Sequence, residues 1–267
     1  MFDVTQSISS QVIDQMSVSA SHANFEELAV RCAVAYEELA DEYYVPVRHP
    51  TCANFDALQD TLLPELRLLA DGTDGSWLEV GCGRGRLDRF VTPERVILSD
   101  ISASMLALAR QRTENRVSCR LLDAFQPPFE DGSLQGVAAF LADPYNHLAF
   151  FSQIWRILRD GGCLSFTLPN HNWAGAVRTA LGQTLEETHF IHRDRGILRV
   201  PSLTRGIGHQ CELLCTLGFQ VASVSSISLQ ICPEVVPSHH VVLAAKVLGC
   251  HPRDVPLLDV YVVFKKK

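Results

Sequence analysis

No stretch of the 267 residues stays apolar long enough to cross a bilayer, so no membrane span is expected. The segment Met1 to Ala20 is rich in Ser and Gln and lacks the basic start and apolar block of a secretory signal. Nine cysteines are scattered without a C-x-x-C pair. Cys211 and Cys215, one helical turn apart, have no His cluster to complete a zinc set. No metal is expected, and the thiols read as reduced groups of a cytoplasmic protein. Basic residues are in the minority. The net charge is -7, and the only dense basic run is Lys265-Lys266-Lys267, which argues against a nucleic-acid partner. Internal repeats are also missing. What remains, 47% hydrophobic and 20% charged residues, suits one large domain or a domain with a cap.

The informative stretch runs from Trp77 to Leu87. An apolar run, Trp77 to Val80, ends in the turn Gly81-Cys82-Gly83-Arg84-Gly85, and an amphipathic segment follows from Leu87 to Val91. Strand, tight loop and helix in that order bring backbone N–H groups and a helix N-terminus to a bound nucleotide. A dinucleotide loop requires G-x-G-x-x-G. Here Arg86 holds the third glycine's place and Gly85 comes one position early. The order is instead E-x-G-x-G-x-G, beginning at Glu79.

Two more acids follow β-like segments. Arg95 to Ser99 is followed by Asp100, near the offset of about 20 residues at which an acid meets ribose hydroxyls. A carboxylate accepts both hydroxyl protons. Ser102 suits the N-cap of a helix through Arg112, and Ile101 and Met105 are expected to pack on an adenine. Val117 to Leu122 ends in Asp123-Ala124-Phe125, where an acid meets the adenine amino group and the next N–H a ring nitrogen. A fourth strand is expected from Leu134 to Leu141, a helix from Leu148 to Leu158 with Gly161 as its left-handed cap, and a fifth strand from Cys163 to Leu168. His147, after strand four, and His171, after strand five, are the first and second choices for a catalytic base.

The glycine order, Leu98-Ser99-Asp100-Ile101-Ser102-Ala103-Ser104-Met105-Leu106, and Arg156-Ile157-Leu158-Arg159-Asp160-Gly161-Gly162 together resemble the motifs of class I S-adenosylmethionine (SAM)-dependent methyltransferases of the small-molecule type. The resemblance is good from Trp77 to Leu168 and a matter of pattern beyond. It departs at Gln135, where such enzymes carry an acid. It implies an α/β, Rossmann-like, seven-stranded doubly wound sheet whose last strand, Leu257 to Lys265, runs antiparallel. It also implies SAM as cofactor and S-adenosylhomocysteine as product. The cofactor contacts it suggests are Tyr36, Arg48, Glu79, Gly81, Cys82, Gly83, Asp100, Ile101, Met105, Asp123, Ala124, Phe125 and Leu141.

Around that core, Asn24 to Tyr44 has helical spacing, with Tyr36, Tyr43 and Tyr44 suited either to packing or to a lid over the methionine end. Arg48 to Thr51 reads as a loop and Phe55 to Leu69 as one helix. Residues 170–202 are too long for a plain connection, and Thr188 to Pro201 alternates like a hairpin, with Trp173 and Phe190 expected to close over the site. Leu203 to Leu217 reads as a helix. The division expected is a flexible tail at 1–22, a helical lid at 23–70, the SAM-binding core at 71–169, a substrate cap at 170–202 and the rest of the core sheet at 203–267. The expected activity is methyl transfer to an O, N or C nucleophile of a small molecule, by a monomer or homodimer. Alternatives are a catalytically silent SAM-fold partner and a nucleic-acid or protein methyltransferase; an NAD oxidoreductase is disfavoured by Arg86.

Overall fold

The structure, a computed structural model, describes residues 25–141 and 143–266. The tail expected at 1–22, Asn24 at the start of the first helix, and Ala142 lie outside the described residues. Among the described residues no helix is long and apolar enough to cross a membrane.

Three helices come first: α1 (Phe25–Leu39), α2 (Pro50–Asp60) and α3 (Leu63–Ala70). The single helix expected over 55–69 is thus two. Pro64 has no N–H to continue the ladder from α2, and Thr61 turns its hydroxyl onto the Leu58 carbonyl at 2.7 Å. Pro50, expected in a loop, opens α2, where its missing N–H costs nothing.

The core alternates strand and helix: β1 (Trp77–Val80), β2 (Val96–Asp100), α4 (Ala103–Arg112), β3 (Ser118–Leu121), β4 (Leu134–Phe140), α5 (Leu148–Ile157) and β5 (Leu158–Pro169). Then come α6 (His171–Ala180), the hairpin β6 (Glu187–His192) and β7 (Gly196–Pro201), α7 (Ile207–Thr216), β8 (Phe219–Ile227), α8 (His239–Leu248) and β9 (Leu258–Lys265). Seven strands form one sheet in the order β3-β2-β1-β4-β5-β9-β8. The five strands from β3 to β5 are parallel to one another, and β9 runs antiparallel between β5 and β8. This is the expected doubly wound sheet with its antiparallel last strand.

β1 and β4 are buried along their whole length, as inner parallel strands covered on both faces must be. Trp77 is fully buried under the sheet, and its ring packs directly on Gly136 of β4. α5 and β8 enclose a second apolar layer in which Phe166 and Tyr261 stack with centroids 4.6 Å apart.

Three local expectations fail. After β1 the chain makes only a 3-10 turn, Leu87–Arg89, and not the helix expected to begin at Leu87. Gly161 caps no helix: α5 stops at Ile157, Leu158 is already extended, and Leu158 pairs with Leu134 of β4, so Gly161 (φ 71°) bends a strand. α7 starts at Ile207, not Leu203, because Leu203 is tied back through its N–H to the Asp143 carbonyl at 3.1 Å and Arg205 to the Asn146 carbonyl.

A methyl group added at Gly136 would overlap the Trp77 ring, which has nowhere to go in a dense core. Gly136→Ala should therefore cost about 1–3 kcal/mol. Urea unfolding monitored by tryptophan fluorescence checks it; an unchanged midpoint would mean that the ring is not locked there.

Candidate cofactor site

Strand order reverses between β1 and β4, and a cavity opens beyond the carboxyl ends of β1, β2 and β4 at that point. Its floor is the loop after β1 (Gly81, Cys82, Gly83, Arg86). One side is Asp100, Ile101 and Met105, from the end of β2 to α4, and the other is Phe140, Leu141, Pro144 and Tyr145 beyond β4. The roof is Tyr36, Tyr43 and Tyr44 from the N-terminal layer, with Cys52, Asp56 and Gln59 of α2.

Gly81, Gly83 and Gly85 all take positive φ, at 61°, 51° and 81°. Gly85 also lies so near Leu98 that a Cβ would stand 2.7 Å from its side chain, which fixes the loop against β2. Glu79 then does what a following helix would have done. Its Oε2 accepts the N–H groups of Arg86 at 2.9 Å and Leu87 at 2.7 Å. Burial pushes this carboxyl up to about 7, and those two amides hold it from rising further. Asp100 grips the loop from the other side: Oδ2 accepts the Gly83 N–H at 2.8 Å and Oδ1 the Ser102 N–H at 3.0 Å. Burial raises it to about 6, again against its amide partners.

The roof is fastened by charge. Arg84 and Arg86 both pair with Asp56, and Arg86 and Arg89 both pair with Asp60, the latter at 2.7 Å. Glu37 of α1 accepts from the Ser104 N–H at 3.0 Å and from the Ser102 hydroxyl at 2.7 Å, a carboxylate at the N-terminus of α4. Tyr44 meets the glycine loop directly. Its hydroxyl accepts the Arg84 N–H at 3.1 Å, its ring lies 4.6 Å from the Arg84 guanidinium, and a Cβ on Gly83 would collide with that hydroxyl. The cavity left under the roof is about 80 Å³. Ligand sites for small molecules run to roughly 300 Å³ and more.

Nine of the cofactor contacts suggested by the sequence meet at this wall: Tyr36, Glu79, Gly81, Cys82, Gly83, Asp100, Ile101, Met105 and Leu141. Four others do not. Arg48 is exposed. Asp123 is half-buried outside the wall, its Oδ1 accepting the Phe125 N–H at 2.9 Å, and Ala124 and Phe125 are packed into the core. Both candidate bases also lie off the cavity wall. His147 precedes α5 with its ring 5.9 Å from Phe25 and 6.0 Å from Phe125; burial and Arg205 lower it to about 4, which makes it a poor base. His171 is the exposed first residue of α6, its Nδ1 3.2 Å from the Thr204 hydroxyl. The expected aromatic closure by Trp173 and Phe190 differs too. Trp173 packs on Phe55 at 5.2 Å, and Phe190 packs on Tyr43 at 5.8 Å, behind the roof.

Asp56, Gln59 and Arg86 were missed as wall residues. Asp56 and Gln59 are one turn apart on α2, a spacing that carries no motif, and Arg86 figured only as a departure from the dinucleotide fingerprint. Leu141 carries a signal that only the backbone shows. It is a non-glycine residue at φ 54°, and its N–H is turned onto the Thr167 hydroxyl at 2.9 Å.

Residues 78–162 match the family model described as a methyltransferase domain. No curated protein matches the sequence significantly. Among solved structures, geranyl diphosphate C-methyltransferase from Streptomyces coelicolor A3(2) aligns with a TM-score of 0.55 at 14% identity, covering 85% of this chain and 87% of that one. A SAM-dependent methyltransferase from Mesorhizobium loti aligns with a TM-score of 0.53 at 18% identity, over 76% and 97%. The PH0226 protein from Pyrococcus horikoshii OT3 aligns with a TM-score of 0.54 at 16% identity, over 79% and 91%. At these identities the likeness is one of fold. Residues 78–162 thus match a methyltransferase domain and lie within a Rossmann-like sheet.

Glu79 has a measurable signature. Its carboxyl titrates at about 7 in the folded chain against 4.5 when free. The folded state keeps a proton that the unfolded state releases, so the stability contributed by this group is full below pH 4.5 and lost as pH rises through 7. Gln at this position keeps an oxygen acceptor and does not titrate. The unfolding free energy of the wild type minus that of Glu79→Gln should fall by up to about 1.4 kcal/mol per pH unit across that window. Urea unfolding at several pH values checks it, and a flat difference would show that Glu79 ionises as in an open chain.

Proposed function

We propose that this protein binds SAM in the cavity beyond β1, β2 and β4 and transfers its methyl group to an O, N or C nucleophile of a small molecule. The observation that carries the reading is the joint placement of the bare Gly83 backbone and the Asp100 carboxylate at the switch point, with Ile101 and Met105 beside them. The residues present fit such a cofactor. Gly83 has no Cβ where a ligand must approach, Asp100 offers a carboxylate at the end of β2 for ribose hydroxyls, and Ile101 and Met105 supply an apolar slot for a base.

When bound, SAM supplies an electrophilic methyl on a sulfonium sulfur. The chain's part is to hold donor and acceptor in line and keep water out. Tyr36, Tyr43 and Tyr145 supply aromatic surface for that enclosure, and aromatic faces attract a cation. Burial pushes all three tyrosines well above their ordinary values, so they stay neutral. The enclosure replaces His147 and His171 in the proposal, since in-line transfer between held partners requires no dedicated base.

The acceptor is small and uncharged or cationic. The wall carries Asp56, Glu79 and Asp100 against a single arginine, and Arg86 is already paired with Asp56 and Asp60. The net charge of -7 argues against polyanions in general. A small-molecule acceptor also accords with the neighbour that is a geranyl diphosphate C-methyltransferase, although this wall has no free cation for a diphosphate. The small cavity favours one rival, a SAM-fold partner that never turns over.

Calorimetry with the full chain separates these readings. S-adenosylhomocysteine should bind and NAD should not. Asp100→Ala should weaken the former by roughly tenfold or more, because it removes the ribose partner and frees the Gly83 amide. Binding of NAD alone overturns the proposal, and tight S-adenosylhomocysteine binding without transfer to any acceptor screened supports the silent partner.

Tyr44 gives an independent check. Its hydroxyl holds the Arg84 N–H, so any ligand that takes the loop must first break that bond. Tyr44→Phe removes a hydrogen bond of about 1 kcal/mol from the closed state. S-adenosylhomocysteine should then bind several-fold more tightly; weaker binding would make the hydroxyl a ligand contact instead of a competitor.

A further inference from the structure

The roof contains a polar group that the rest of the protein leaves unused. Gln59 lies on α2, is 3% exposed and lines the cavity, yet its Nε2 has no hydrogen-bond partner. A buried donor without a partner is costly, and natural structures tolerate few. Its neighbours fix which end of the cavity it faces. Asp56, one turn earlier on the same face of α2, pairs with both Arg84 and Arg86 of the glycine loop. Gln59 therefore stands over the loop end, while Ile101 and Met105 mark the other end of the wall, along α4.

A second donor waits at the same corner. The Arg84 N–H points to an oxygen, and the oxygen now there is the Tyr44 hydroxyl. One N–H donor of the loop taken by a neutral oxygen and one unpaired donor in the roof above that loop suit a two-oxygen anion. Arg48, a cofactor contact suggested by the sequence, is exposed and outside the wall.

We propose that Gln59 recognises the amino-acid end of the cofactor. Its Nε2–H donates to one oxygen of the α-carboxylate, and the other oxygen takes the Arg84 N–H from Tyr44. The inference rests on the SAM reading above and adds to it a specificity-determining residue and a direction: the carboxylate under α2, the adenosine toward α4. Tyr44 is then an internal stand-in for the carboxylate, and the same motion that admits the ligand releases it.

The test pairs two ligands that differ in that end only. S-adenosylhomocysteine has the α-carboxylate; 5′-deoxy-5′-methylthioadenosine keeps the nucleoside and sulfur and lacks it. Both are titrated calorimetrically into the full-length wild type and into Gln59→Leu and Gln59→Glu. Leu fills similar space and removes the unpaired donor, so the thermal midpoint of Gln59→Leu should be unchanged or higher, which separates a binding loss from misfolding. S-adenosylhomocysteine should bind this variant about tenfold more weakly, the size of one lost charge-assisted hydrogen bond, and 5′-deoxy-5′-methylthioadenosine should bind as to the wild type. Gln59→Glu, which sets carboxylate against carboxylate, should lose more for S-adenosylhomocysteine and nothing for the other ligand. Equal losses for both ligands, or none for either, overturn the assignment while leaving the SAM reading intact. Binding of neither ligand to the wild type overturns the SAM reading and this inference with it.

Discussion

One buried carboxylate holds the site together. Glu79 sits at the third position of a four-residue inner strand, 1% exposed, and its Oε2 accepts two successive backbone N–H groups from beyond the glycine loop. A loop of left-handed glycines has few conformational restraints of its own. Left alone, the amides of Arg86 and Leu87 would need water or a full helical turn to satisfy them. The carboxylate satisfies both and fixes where the loop ends, so the chain needs only a three-residue 3-10 turn before it continues to β2. Asp100 closes the same loop from β2 through the Gly83 N–H. Two acids at neighbouring strand ends thus hold both ends of a segment that has almost no side chains of its own.

The second constraint is the charge that ties the roof to this loop. Arg86, 7% exposed, reaches Asp56 and Asp60 on α2, and burial lowers it to about 10, still charged at neutral pH. Losing Asp56 or Asp60 takes from this buried guanidinium one of two partners, which are themselves partly exposed. The position that a dinucleotide loop gives to glycine is here occupied by the residue that ties α2 to the loop. The departure from the dinucleotide pattern is therefore a structural requirement of this roof as well as a mark against NAD.

Much of the sheet was legible because its signals are local. Apolar runs ended by an acid or a glycine mark inner parallel strands wherever they occur, and Trp77 to Val80 and Leu134 to Phe140 are such runs. The short turn after Gly85 was not legible, since nothing in Leu87 to Val91 reveals that a carboxylate upstream in β1 will take the amides a helix would use. Asp56 and Gln59 were invisible for a related reason. Their meaning arises only when α2 is docked on the loop, and a spacing of three on a helix says nothing about what faces it. The histidines failed differently: their place in the order of elements suggested a base, but a ring beside Phe25 and Phe125 is held neutral by burial and lies off the cavity wall.

The β4 side and the roof of the cavity are built from different forces. β4 is buried at all seven positions and paired on both sides, and it holds Leu141 at φ 54°, a conformation that costs on the order of 1–3 kcal/mol. Only a rigid surrounding can impose that, and the Thr167 hydroxyl that takes the Leu141 N–H belongs to the adjacent inner strand β5. The strain turns the chain sharply into Asp143–Tyr145 and sets Pro144 and Tyr145 against the wall. The roof instead is held by single polar contacts, several at partly exposed groups: Glu37 on Ser104, Tyr44 on Arg84, Arg89 on Asp60. Each is worth about 1 kcal/mol or less when water can replace it. Those contacts are weaker than the packing of β4, whose opening would expose two inner strands. Tyr44 therefore rests on the glycine loop through contacts that water can replace, whereas Leu141 is fixed by buried strands.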